Sequence, residues 1–254
     1  MPGWGFFFRS YELLVKVILL TLDFDFNFIA NSINSLMPYP QAPWTLQGYA
    51  IQTLHLVNID RVRPLIPLEL EIISVWPGKT IGSVYLSNYG SGSVLEYSEL
   101  IVAPALVNYQ RKIGGWVSHI YVDNTDSVAG GREIWGLPKE LAEFTWEQGN
   151  HVTVHQENRK LCSLKYNRQS LAWRQGLSAS GFSAKGADLL IFPAEFESLL
   201  GLIGSKLEIP SESPFSGIGL GQPWLTVRCE QMSLRVDAPK VVCQSNRNAR
   251  VISD

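Results

Sequence analysis

The chain has 254 residues, of which 46% are hydrophobic and 17% charged, and a formal net charge of −2. That length and apolar content suit one large domain with a substantial core. The near-neutral balance, with basic residues scattered along the chain, excludes the electrostatic footprint of a nucleic-acid binder, so no nucleic-acid partner is expected.

Residues 1–36 differ from the rest. They carry an apolar run from Leu13 to Leu22, interrupted by Lys16, preceded by Arg9 and followed by Asp23 and Asp25. A membrane span needs about 20 apolar residues, so the run is too short, and no stable span is expected. With one basic residue ahead of the run and no small-residue cleavage site, it does not read as a signal peptide. Residues 1–36 are therefore expected to form an extension outside the fold, with a peripheral membrane anchor as the other option. Residues 37–254 are expected to form one domain. The three cysteines, Cys162, Cys229 and Cys243, are odd in number and form no CxxC spacing, which points to reduced thiols and a cytoplasmic protein.

After a proline-punctuated lead-in, Tyr49 to Val57 reads as a strand, and Asn58 or Asp60 can cap a short helical turn limited by Pro64 and Pro67. His55 in that strand is expected to be a core histidine. Leu70 to Val75 and Thr80 to Asn88 read as further strands across the turn Trp76-Pro77-Gly78-Lys79. Tyr97 to Val107 is also read as a strand. Period-two geometry puts Tyr97, Glu99, Ile101 and Ala103 on one face and Leu100 and Val102 on the other. Both faces are apolar, so the strand is expected to be covered on both sides, with Glu99 facing an interior. Glutamate is almost never buried without a partner.

Gly114 to Asp123 is expected to be a strand that leads by a turn into Gly130-Gly131-Arg132-Glu133-Ile134-Trp135-Gly136-Leu137-Pro138-Lys139-Glu140-Leu141. Pro138 fits the first position of a short helix, which would put Lys139 in the opening turn, at the positive end of the helix dipole. That field, and burial against Trp135, Leu137 and Phe144, would disfavour the ammonium form. A neutral amine is a nucleophile whose product with a carbonyl is a Schiff base. Further on, Val152 to His155 and Leu161 to Tyr166 read as paired strands. His151 and His155 share a face but have no third ligand in view, so surface histidines are favoured and no metal is expected. Leu171 to Gly186 is a Ser- and Gly-rich connection, Phe192 to Leu202 has helical spacing, Pro210 to Pro223 is a loop, and Leu225 to Val236 is the closing strand. The polar tail from Gln244 is expected to fray. Many short strands with Gly- and Pro-rich turns argue for a mainly β (α+β), antiparallel architecture that closes on itself.

The Gly131-Arg132-Glu133 and Pro138-Lys139 segments resemble the signature of the acetoacetate decarboxylase-like superfamily. Pro43-Trp44 to Pro67, the segment around Glu99 and Met232 to Pro239 look closest to its plastid branch, associated with neoxanthin formation in plants. The resemblance implies a cone-shaped β-barrel with flanking helices, no metal or organic cofactor, and a homo-oligomer. It implies Lys139 as the Schiff-base lysine and Glu99 as the active-site glutamate. Tyr97, Arg132, Trp135, Leu137, Glu140 and Gly48 are the further pocket candidates, and Trp224 is expected to help exclude water. Two positions depart from the pattern: Glu140 stands for a second lysine, and Gly48 for an arginine that binds the substrate carboxylate, a role Arg132 is a candidate to take. The expected function is decarboxylation or related imine chemistry on a small keto acid. The alternative is an accessory protein that holds an isoprenoid- or carotenoid-like apolar ligand in the same cavity.

Overall fold

The computed structural model describes residues 39–147, 150–168 and 171–244. The expected extension, residues 1–36, and the tail beyond Gln244 lie outside the described residues. The strands are β1 (Trp44–Asn58), β2 (Glu71–Ile72), β3 (Lys79–Tyr89), β4 (Tyr97–Ala103), β5 (Leu106–Tyr109), β6 (Lys112–Trp116), β7 (His119–Val122) and β8 (Lys139–Leu141). They continue as β9 (Glu143–Glu147), β10 (His151–Gln156), β11 (Arg159–Tyr166), β12 (Trp173–Lys185), β13 (Asp188–Leu202), β14 (Ser205–Glu208), β15 (Leu225–Val236) and β16 (Lys240–Gln244). Among the described residues two α-helices, Ile59–Val62 and Thr125–Trp135, join them. Neither is long and apolar enough to cross a membrane.

The larger sheet has twelve strands in the order β2-β5-β6-β12-β13-β15-β1-β3-β4-β7-β8, with β16 paired to β13. The smaller has four, β14-β11-β10-β9. The architecture is thus mostly β and mostly antiparallel, with parallel pairs at β12/β6 and β7/β8. The pairing path is open from β2 to β8 among the described residues, so the barrel closure expected from the sequence is not seen.

Alternation decides which side chain goes where. On β1, Ile51, Thr53, His55 and Val57 are wholly buried on one face, while Leu46, Gln52 and Leu54 line a cavity on the other. On β4, Leu100 and Val102 join the main core, and Tyr97, Glu99, Ile101 and Ala103 line the cavity, as period-two geometry requires. The core side packs against Val152, Val154, Leu161 and Leu164 of the smaller sheet. Each such side chain contributes about 1.5–3 kcal/mol on burial, against about 0–1 for an exposed ion pair, so apolar packing dominates in holding this layer. His55 is the expected core histidine: its Nδ1 lies 3.0 Å from the Leu220 carbonyl and its Nε2 2.8 Å from the Thr53 hydroxyl.

Several expected elements take a different form. Pro104 splits the Tyr97 to Val107 strand into β4 and β5, since proline offers no ladder donor. Gly114 to Asp123 likewise divides into β6 and β7, and only Glu71–Ile72 of Leu70 to Val75 is strand. The Ser- and Gly-rich connection at Leu171 to Gly186 contains β12, and the helix expected over Phe192 to Leu202 is part of β13. That stretch pairs with β12 on one side and β15 on the other, and two ladders outweigh a chance apolar spacing.

Candidate active site

The helix around the signature runs ahead of the lysine instead of starting at Pro138. Asn124 caps it, its side chain accepting from the Ser127 backbone N–H at 3.0 Å, and Gly136 ends it in the left-handed region at φ 61°. Lys139 therefore opens β8 and escapes the helix-dipole field expected for it. The Arg132 guanidinium donates through Nε to the Lys139 carbonyl at 2.8 Å and fixes the backbone there. A Cβ on Gly131 would stand 2.4 Å from Lys139 Cδ, so the glycine is what lets the lysine stem cross the helix surface. The role of Gly131 is thus close approach inside a helix, with no positive φ.

Ladder register then brings the lysine to the glutamate. Ile101 of β4 faces Ile120 of β7, and Ile120 faces Lys139 of β8, while Glu99 lies two residues along β4 on the same face as Ile101. Lys139 Nζ donates to Glu99 Oε1 at 2.9 Å and to Ser127 Oγ at 2.9 Å. The residues are only 3% and 5% exposed. The ammonium group sits 5.0 Å from the Tyr97 ring centre and 5.5 Å from that of Trp44, within cation–π range. Tyr89 donates its phenol proton to Glu99 Oε2 at 3.2 Å, and the Tyr85 hydroxyl lies 3.2 Å from that of Tyr89 and 3.5 Å from the Met232 sulfur. Burial pushes the phenols of Tyr85, Tyr89 and Tyr97 well above the ordinary range, and the Glu99 carboxylate adds to the shift in each, so all three remain O–H donors.

These groups stand at one end of a cavity of about 500 Å³. Its wall includes residues of β1, β3, β4, β6, β12, β13 and β15, so the large sheet curls around it. Of the pocket candidates, Tyr97, Trp135 and Leu137 lie on the wall with Lys139 and Glu99. Arg132, Glu140 and Gly48 do not. Glu140 alternates to the opposite face of β8 from Lys139 and accepts from Gln156 Nε2 at 2.6 Å. Gly48 sits at a bulge in β1, where a Cβ would meet the Asn88 carbonyl oxygen at 2.0 Å, so no longer side chain fits. Trp224, expected to shield the cavity, is 65% exposed. Ser127, Tyr85, Tyr89 and Trp44 were not singled out from the sequence. Tyr85 and Tyr89 share the cavity face of β3, a period-two signal that reads equally well as ordinary core.

Among the described residues no group of three or more His, Cys, Asp or Glu side chains is arranged to hold a metal ion. His151 lies 3.2 Å from Glu147 instead.

The model of the acetoacetate decarboxylase family matches residues 35–196, well over half of the chain. The chain belongs to the acetoacetate decarboxylase family. Within it, the chain is 30% identical over 107 residues to Protein NEOXANTHIN-DEFICIENT 1 of Solanum lycopersicum, a match covering 42% of this chain and 36% of that protein. It is 33% identical over 87 residues to acetoacetate decarboxylase of Burkholderia ambifaria, covering 34% and 33%. The chain thus spans about a third of the length of these curated relatives. Acetoacetate decarboxylase from Legionella pneumophila shares the fold, with a TM-score of 0.68 at 15% identity over 81% of this chain and 89% of that one.

Proposed function

We propose that the protein is a Schiff-base enzyme in which Lys139 attacks a carbonyl substrate, small keto acids being the class expected from the family resemblance. The observation that carries this reading is a lysine only 3% exposed beside a cavity, its nitrogen held by a carboxylate and a hydroxyl. Glu140, the nearest acid in sequence, is turned away, so Glu99 is the group that exchanges a proton with the amine.

Attack requires a neutral amine. As the carbonyl approaches, Glu99 takes the ammonium proton, and Nζ adds to the carbonyl carbon to give a carbinolamine. Glu99 returns the proton to the departing hydroxyl, water leaves, and a protonated imine remains. The imine then accepts an electron pair, either from a breaking bond to a carboxylate, with loss of CO₂, or from an adjacent C–H whose proton passes to Glu99. Both routes give an enamine. In the first, the carbon gains a proton relayed from water by Tyr89 and Glu99; in the second, Glu99 returns the one it took. Water then releases the product and restores the amine. Ser127 orients Nζ, and the apolar walls exclude bulk water.

A second reading, a container for an isoprenoid- or carotenoid-like ligand, is favoured by the mostly apolar wall and by the similarity to the NEOXANTHIN-DEFICIENT 1 proteins. In either case, a homo-oligomer is the assembly expected from the family resemblance, and free Cys162, Cys229 and Cys243 support a reducing, cytoplasmic setting.

The two readings separate by exchange of α-protons of butan-2-one in D₂O, followed by NMR, with CO₂ release from acetoacetate in parallel. At least one should be catalysed by the native protein and lost in Lys139→Gln. If neither rate exceeds that of the variant, the enzyme reading falls and the container remains.

A further inference from the structure

The cavity has features that a small keto acid does not use. Among the described residues Lys139 is the sole lysine or arginine on its wall, and Glu99 already neutralises it at 2.9 Å. Arg132 braces the Lys139 backbone from outside, and Gly48 leaves no room for a side chain. A substrate carboxylate would therefore enter a site containing Glu99 with no cation of its own, and a buried charge without a partner is strongly disfavoured.

Shape points the same way. On β3 the wall runs from Tyr89 through Tyr85 and Ser83 to Ile81, and on β1 from Leu46 to Leu54. Eight residue steps at about 3.3 Å each make roughly 26 Å. Along β3 burial loosens from Tyr89 at 2% exposure to half-buried Ile81, and on β6 the wall residue Ile113 is 57% exposed. The amine stands beside the buried wall residues Tyr89, Tyr97 and Glu99, whereas Ile113, Ser178 and Ala179 are the wall residues open to solvent, so the exposed side of the channel lies away from the amine. With a cavity of about 500 Å³ and about 30 Å³ per water, a four-carbon keto acid would leave space for on the order of ten waters against apolar walls.

We infer that the substrate is an uncharged, elongated, apolar aldehyde or ketone, whose carbonyl reaches Lys139 while its hydrocarbon tail fills the channel toward Ile113. This rests on the Schiff-base reading of Lys139. The first step forms the C=N bond at Nζ and releases the carbonyl oxygen as water, with Glu99 moving the proton. With no carboxylate to lose, the imine then serves proton removal and return at the adjacent carbon.

The test is reductive trapping with sodium borohydride and peptide mass mapping, using 2-tridecanone carried on cyclodextrin, acetoacetate and butan-2-one. Lys139 should be labelled by 2-tridecanone at concentrations at least tenfold below those needed for acetoacetate. Ser83→Phe, which narrows the channel midway, should lower the ratio of 2-tridecanone to butan-2-one labelling at least tenfold. Acetoacetate labelling as well as or better than 2-tridecanone, or an unchanged ratio in the variant, overturns the inference and leaves Lys139 as an imine former. Labelling by none of the three overturns the Schiff-base reading and this inference with it.

Discussion

Lys139 and Glu99 are each almost wholly buried, and removing one member of such a pair leaves a charge with no partner, which costs about 3–5 kcal/mol. Lys139→Met should therefore lower stability by about that amount, and Lys139→Met with Glu99→Gln should recover most of it. Urea unfolding of the two variants measures this, and an equal loss in both would mean that the pair is not coupled as described. The two positions were legible in the sequence for separate reasons: the Gly-Arg-Glu and Pro-Lys pattern marks one, and the alternation of Tyr97 to Ala103 marks the other. Their contact was not legible, because it arises from two ladders, β4 to β7 and β7 to β8, whose register no local pattern contains. Ser127 and Tyr89 were missed for the same reason. Each is unremarkable in its own segment and acquires a role only from what the fold sets beside it.

At the scale of elements, the signature reads misleadingly. Pro138 suits a helix start, yet the helix Thr125–Trp135 has already ended at Gly136, where a left-handed conformation favours glycine. Gly131 lies inside that helix, where alanine would be preferred by about 1 kcal/mol. Contact with the Lys139 stem outweighs the propensity: a Cβ would meet Cδ at 2.4 Å and Cε at 2.7 Å. Gly131→Ala should accordingly keep the fold, move Nζ away from Glu99 and Ser127, and slow α-proton exchange by about tenfold or more, equivalent to about 1.4 kcal/mol. Circular dichroism checks the first outcome and NMR of butan-2-one in D₂O the second. An unchanged exchange rate would show that the lysine adapts without loss. β13 gives the opposite lesson. Its apolar residues fall by chance at helical spacing, and only its two neighbours, β12 and β15, make it a strand.

For the whole molecule, the sequence revealed the mostly β class and the two-sided burial of β4, while the open pairing path and the wide curl of the sheet depend on long-range pairing. Buried His55 and half-buried His119 tie stability to pH. Burial lowers the pKa of His55 and of His119 below the usual 6.5. Above that value both are neutral whether the chain is folded or not, and they contribute nothing to the pH dependence. As pH falls below 6.5 the unfolded chain takes up protons first, so stability declines until the folded-state values are passed. Urea midpoints measured from pH 7.5 to 5 should fall, and His55→Gln should flatten the decline; a native profile level across that range would contradict the assignment.

The central claim is that the Lys139 amine forms an imine. Borohydride reduction of the native protein with butan-2-one, followed by peptide mapping, tests it most directly. A reduced butyl adduct on Lys139, blocked when Glu99 is replaced by Gln and absent from the exposed lysines under the same conditions, is the predicted result. Unmodified Lys139, or labelling no greater than that of exposed Lys185 and Lys240, would contradict it.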